Sequence, residues 1–235
     1  MMWGIIAALD AELSRILGAM EVERTITAYG MKFYIGTIDA VPVAAVCCSV
    51  GTINAAVCTS TLIRELGAKA VVNIGVAGSA CEELTLLDVV LGQELLFHDV
   101  QGDFLANFHP FCHRFAADPK LLELAEQVIS QMEHRSFRHK AGRIATGDLF
   151  VQDPAVKEDI IRRCNPLCVE MEGAAVAQVA YMSDTPFLVI RSLSDDAAQG
   201  AQLSFESFVE QAARNSAEIV LGMIRQGKTA PAKSE

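Results

Sequence analysis

The sequence predicts an α/β fold: one domain built on a central mixed β-sheet flanked by helices. Three observations carry this. Short β-branched runs alternate with longer helical patterns from end to end. The run "AKAVVNIGV" is apolar throughout, as in strands covered on both faces. No repeat, low-complexity block or Pro/Gly/Ser linker divides the chain, and 235 residues, half of them hydrophobic, can bury a sizeable core.

The elements follow in order. "WGIIAAL" reads as a buried strand, and a helix follows from about Asp10 to Met20. "MKFYIGTID" and "VPVAAVCCSV" read as a hairpin turning at Asp39-Ala40. Gly51 opens an apolar helix to about Leu66, and "AKAVVNIGV" and "DVVLGQELLFHD" supply two more strands. His98–Ala117 reads as a long irregular loop. A helix (Asp118–Met132), a strand (Phe137–Ala145) and a short helix after Pro154 come next. Strand "PLCVEM", helix "GAAVAQVAYM", strand "PFLVIRSLS" and an amphipathic helix from about Ser204 to Ile224 complete a domain expected over residues 1–226. The polar end, 227–235, is expected to be a disordered tail.

Composition excludes several classes. A net charge of −10, with no basic stripe interleaved with aromatics, argues against nucleic acid as a partner. The opening "MMWGIIAALDAEL" lacks a basic n-region and soon meets Asp10 and Glu12, unlike a signal peptide. Val41–Ile63 is apolar on average, but Ser49, Gly51, Thr52 and Asn54 interrupt it, so a membrane span is not expected. Seven cysteines without a CxxC pair read as reduced thiols, which favours a cytoplasmic setting.

Candidate chemistry gathers at strand ends, where open α/β sheets bind ligands. Glu12 follows the first strand; Asn73–Ala80, "NIGVAGSA", closes another; Glu170, Met171 and Glu172 follow a third; Arg191–Asp196, "RSLSDD", ends a fourth. Locally each has a plain explanation. The glycine segment reads as a tight turn rather than close approach to a ligand, and it is neither a dinucleotide nor a phosphate-loop fingerprint. Acids at a helix start suit its dipole. "HPFCH", His109–His113, offers imidazoles and a thiol but no second ligand cluster, so no metal is expected. His98-Asp99 reads as a hydrogen-bonded pair. Together the acids say more. Hydrolysing an N-glycosidic bond needs an acid for the leaving base, negative charge near an oxocarbenium-like sugar and a held water, which three carboxylates can supply without metal.

"GIIAALDAEL", "SVGTINAA", "NIGVAGS", "FHD", "TGDLFV", "VEMEGAAVAQVA" and "RSLSDDA…LSFESF" stand in the order and spacing of another group of proteins. Over about Trp3 to Arg225 the chain resembles the 5′-methylthioadenosine/S-adenosylhomocysteine nucleosidases, members of the nucleoside phosphorylase superfamily. The resemblance implies a nucleoside phosphorylase-like fold, a homodimer and no cofactor. It implies cleavage of the adenine–ribose bond of 5′-thio-substituted adenosines, with the nucleoside and water as the partners. By position it makes Asp195 the general acid toward purine N7, Glu12 the group that activates water, and Arg191 an organiser of water and carboxylates. Glu172 would bind the ribose hydroxyls with Met171 packing on the sugar and Glu170 in support. Phe150 would face the purine and Val151 read its edge. Leu9, Val50 and Phe205 would line the apolar part, and Val76, Ala77, Gly78 and Ser194 the rest of the binding site. Asp195 is expected to have a raised pKa and Glu12 to stay ionised, pushed the opposite way by Arg191.

Two departures stand out. Val76 takes the place of the serine usual in the glycine segment. The loop "VQGDFLANFHPFCH" lacks the family's usual second aspartate and tyrosine-rich pattern, which leaves the preferred 5′ group open. Two other functions stay open beside hydrolysis. A phosphorylase would need a cation for phosphate, where this chain carries Asn73. A non-catalytic nucleoside-binding homologue would not need all three acids.

Overall fold

The computed structural model describes residues 2–133, 135–198 and 201–227, so the tail lies, from residue 228, outside the described residues. The first half reads β1 (Met2–Ala7), α1 (Asp10–Ala19), β2 (Glu21–Ala28), β3 (Met31–Ile38), β4 (Val41–Cys47), α2 (Thr52–Arg64), β5 (Ala68–Ser79) and β6 (Val89–Phe97). The second reads α3 (Gly102–Asn107), β7 (Phe115–Ala116), α4 (Pro119–Ser130), β8 (His139–Thr146), α5 (Pro154–Cys164), β9 (Cys168–Glu170), α6 (Gly173–Met182), β10 (Phe187–Asp195) and α7 (Ala201–Gln226). The mixed sheet flanked by helices is as expected.

The strands form one ten-stranded sheet in the order β10-β6-β8-β9-β5-β1-β4-β3-β2, with β7 paired to β6. Because β5 also pairs with β10, strands β5, β10, β6, β8 and β9 close into a ring. The rest extend from β5 as an open wing. Strand alternation then builds two cores. Ile5, Val72 and Ile190 face α1, α4 and α7, whereas Ile6, Val71 and Val46 face α2 and α6.

The glycine segment is not a turn. β5 runs through Ser79, paired to β10 and then to β9, and neither Gly75 nor Gly78 has a positive φ. The continuous β10 ladder past both glycines, joined by β9 at Gly78, outweighs their local tendency to bend. The 98–117 loop is less irregular than expected, since it holds α3 and β7. β2 was not expected at all: "EVERTITA" is a mostly exposed edge strand whose sole partner is β3, so no apolar run announces it. Arg191 sits within β10, as the strand "PFLVIRSLS" predicted, and the strand runs on to Asp195.

Candidate active site

Register brings the acids together. Parallel pairing sets Arg191 opposite Gly75 and Asp195 opposite Gly78. β9 crosses the end of β5 with Val169 opposite Gly78, which puts Glu170 to Glu172 at the same edge. α1 begins where β1 ends and adds Glu12. The result is a pocket of about 280 Å³. Glu12, Glu172 and Asp195 line it, as do Glu170, Met171, Ser194, Val76, Ala77 and Gly78. Leu9, Val50, Phe150, Val151 and Phe205 complete the set of sequence-predicted residues found there, and Phe150 meets Phe205 edge-on at 6.0 Å between ring centroids. Ala8, Leu149, Val169 and Gln202 join them without having been expected. Arg191 does not reach the wall.

Glu12 is buried at the third position of α1 and reaches back to the helix start. Its Oε2 accepts the Ala8 and Leu9 N–H groups, each at 2.9 Å, and Oε1 accepts the Val76 N–H at 2.9 Å. Gly75 makes room for it: a Cβ there would lie 2.7 Å from Oε1. So the "turn" glycine is a close-approach glycine, and what approaches is a carboxylate. Burial raises the pKa of Glu12, against the lowering effects of Arg191 and the three N–H groups.

Arg191 lies behind the pocket at 1% exposure. Its Nη2 bonds Glu170 Oε2 and, at 2.6 Å, Asn73 Oδ1, and it is 3.5 Å from Glu172 Oε2. Burial opposes its charge, but Glu170, Glu172 and Glu12 outweigh that and hold the pKa above its usual value. Glu170 is a structural hub. It accepts Thr146 Oγ1–H on one oxygen, and the Glu172 and Gly173 N–H groups (3.0 and 2.7 Å) on the other, thereby capping α6. Glu172 Oε1 accepts only the Gly51 N–H, at 2.9 Å. Burial and the neighbouring Glu170 charge push its pKa up to about 8.

Asp195 takes the Ala197 N–H on Oδ1 (2.8 Å) and the Ser194 hydroxyl on Oδ2 (2.9 Å). Gly78 gives it space, since a Cβ there would lie 2.8 Å from Oδ1. Burial raises its pKa, as expected. Glu12 and Asp195 are therefore not pushed in opposite directions, because both are deeply desolvated. What distinguishes them is the number of N–H donors each accepts.

The His98–Asp99 pair is not hydrogen-bonded to itself. Asp99 Oδ2 accepts the Asp148 N–H at 2.8 Å, and His98 Nε2 is buried without a partner, its ring against Gly147. Burial lowers the His98 pKa. Among the described residues no cluster of His, Cys, Asp or Glu could hold a metal, "HPFCH" included. Reading by motif gave Thr146, Asn73 and Asp148 no place in the site's hydrogen bonding, because their contacts join residues 24 to 118 positions apart and leave no local signal.

Residues 3–225 match the family model of the phosphorylase superfamily. The 5′-methylthioadenosine/S-adenosylhomocysteine nucleosidase of Geobacillus thermodenitrificans is 36% identical over 225 residues, 94% of each chain. That of Bacillus subtilis is 35% identical over 229 residues, 94% of this chain and 97% of the relative. Among solved structures, the Neisseria meningitidis 5′-methylthioadenosine/S-adenosylhomocysteine nucleosidase in complex with methylthio-immucillin-A superposes with a TM-score of 0.89 at 32% identity, over 96% of this chain and 99% of the other. The futalosine hydrolase of Helicobacter pylori superposes with a TM-score of 0.88 at 30% identity, over 96% and 97%.

Proposed function

The chain belongs to the 5′-methylthioadenosine/S-adenosylhomocysteine nucleosidase family of the phosphorylase superfamily, and from that premise we propose how its pocket hydrolyses the N-glycosidic bond of 5′-thio-substituted adenosines to release adenine. One observation carries the assignment of roles: four buried carboxylates, Glu12, Glu170, Glu172 and Asp195, line one pocket, Glu170 being the one already tied to Arg191, and among the described residues no Lys or Arg lines it.

Asp195, whose pKa burial raises, delivers a proton to the purine N7 as the C1′–N9 bond breaks and the bonding electrons leave with the base. The sugar then carries positive character, and Glu172 beneath it holds the ribose hydroxyls while Met171 packs on the ring. Both lone pairs of Glu12 Oε2 are taken by N–H groups, and one of Oε1 by Val76. The remaining Oε1 lone pair is the only place where Glu12 can take a proton. A water held there adds its oxygen to C1′ and gives that proton to Glu12, which balances the reaction as adenine plus free sugar. Arg191 works from behind, setting the charge of Glu170 and Glu172. Phe150 and Val151 hold the base, and Leu9, Val50 and Phe205 face the 5′ group.

Phosphate is a poorer nucleophile for this pocket. Arg191 is already engaged by Glu170 and by Asn73, so a dianion entering the pocket would meet carboxyl groups and no free cation among the described residues. We further propose a single nucleosidase domain over residues 1–226, a homodimer and a cytoplasmic setting. Exposed Val50 and Leu149 at the pocket mouth, with exposed Ile53 on α2, support the dimer, and seven unpaired cysteines support the reducing compartment. No described helix is long and apolar enough to cross a membrane.

The test is base release. Methylthioadenosine, S-adenosylhomocysteine and other nucleosides are supplied with and without phosphate, and free adenine is measured. Phosphate-independent release is expected; dependence on phosphate would assign a phosphorylase, and no release from any nucleoside would leave a binding protein.

A further inference from the structure

The N-terminus of α2 has a cap that comes from elsewhere in the chain. Its N-cap residue is Gly51, which has no side chain to offer the exposed N–H groups of the first turn. Gly51 is itself required by the backbone, with φ at +110°. The missing cap is supplied by Asp148, 96 residues away: Oδ1 accepts the Thr52 N–H at 2.7 Å and Oδ2 accepts the Thr52 hydroxyl at 2.6 Å. Asp148 is held in turn by its own N–H, which donates to Asp99 Oδ2 at 2.8 Å. The preceding Gly147 N–H donates to Glu170 O at 3.1 Å.

The position of this clamp matters because of its neighbours. The Gly51 N–H, one residue before the clamped Thr52, is the hydrogen-bond donor to Glu172 Oε1. Phe150 and Val151, two and three residues after Asp148, line the pocket. We propose that Asp148 is a positioning residue for the nucleosidase reaction, fixing the Gly51 N–H so that Glu172 presents its carboxylate to the ribose hydroxyls. It touches no substrate. It acts through Gly51 and Glu172, and so on the sugar rather than the base. This rests on the ribose-binding role of Glu172.

The experiment measures affinity by calorimetry for two probes, adenine and a carbon-linked adenosine analogue that resists hydrolysis. The intact chain is compared with Asp148→Ala and Asp148→Asn, each also in a Glu172→Gln background, with base release from methylthioadenosine measured in parallel. Asp148→Ala should weaken the analogue by about tenfold or more, the scale of losing a hydrogen bond to a charged group, and adenine by no more than about twofold. Asp148→Asn should recover most of the loss, since its carbonyl still accepts the Thr52 N–H and its amide can donate to the hydroxyl. In the Glu172→Gln background Asp148→Ala should have little further effect.

Parallel weakening of both probes, or an undiminished effect without Glu172, would overturn the proposal and make Asp148 a general prop of the fold. An intact chain that binds the analogue but frees no base would overturn the hydrolase reading alone, with the role of Asp148 still decided by the affinities. An intact chain that binds neither probe would overturn both.

Discussion

Arg191 Nη2 bonds Glu170 Oε2 but lies 3.5 Å from Glu172 Oε2, so one buried cation is divided unequally between two buried carboxylates. Glu170 also receives one hydroxyl and two backbone N–H groups, whereas Glu172 receives a single N–H. Buried carboxylates are stabilised as anions by such donors, so Glu172, with few of them, is the one that burial and its neighbour's charge push toward holding a proton.

From this comes a prediction about proton release. With its pKa pushed up to about 8, Glu172 carries a proton in the free protein at pH 7. Ribose hydroxyls bound as donors favour its anion, so nucleoside binding should expel that proton below about pH 8. Release should fade as the pH rises past that point, where the group is already ionised. Calorimetry at pH 7 in buffers of different ionisation enthalpy reads the number directly. Glu170→Gln removes the charge that helps raise Glu172, and should move the window to lower pH. Equal heats in all buffers would mean that Glu172 does not change protonation on binding.

Asp195→Asn should separate binding from chemistry. The carboxamide can still accept the Ala197 N–H that Asp195 Oδ1 now takes, so the pocket keeps its shape. It cannot release a proton to N7. Turnover should fall by about 10²–10⁴, the usual worth of a general acid, while affinity for a bound nucleoside changes by less than about tenfold. Near-normal turnover would remove Asp195 from the acid role.

Much of the site could be read from the sequence because its side chains sit in short fixed runs. "VEMEG" carries Glu170, Met171 and Glu172 at once, and "RSLSDD" carries Arg191 and Asp195. Strand and helix type followed from periodicity wherever a face was buried. β2 escaped because an edge strand with most of its residues exposed has no apolar run to show. The glycine segment misled because its reason for being glycine is a carboxylate from α1, more than sixty residues earlier. The division of labour between Glu170 and Glu172 was beyond reach for the same cause. It depends on Thr146, Asn73 and Gly51, which only the folded sheet brings near.

Gly75→Ala should be tolerated by the fold and costly to the reaction. The added Cβ would lie 2.7 Å from Glu12 Oε1, and the first group to give way is the far end of that flexible side chain. Moving it breaks the bonds to Ala8, Leu9 and Val76 that aim its free lone pair. Stability should fall by about 1–3 kcal/mol, the scale of unpaired buried N–H groups, and turnover by about tenfold or more. Thermal unfolding and base release on the same preparation check both parts. A variant with full activity would show that Glu12 need not be held where it is.

Val76→Thr tests the residue at which the resemblance leads one to expect a serine. Val76 lines the pocket next to Glu12, and its N–H already holds Oε1 of that carboxylate. Threonine is also β-branched, so it fits the β5 strand without changing the backbone preference. It replaces one methyl group by a hydroxyl beside Glu12. If a water sits on the free lone pair of Glu12, that hydroxyl gives it a second hydrogen bond and orients it toward C1′. Turnover should then rise by about two- to tenfold, with nucleoside affinity little changed, because the gain falls on the attacking water rather than on the sugar. Steady-state kcat and KM for adenine release decide it. A fall in kcat would mean that the valine methyl itself shapes the approach of the water, and that this pocket has replaced a polar contact by packing.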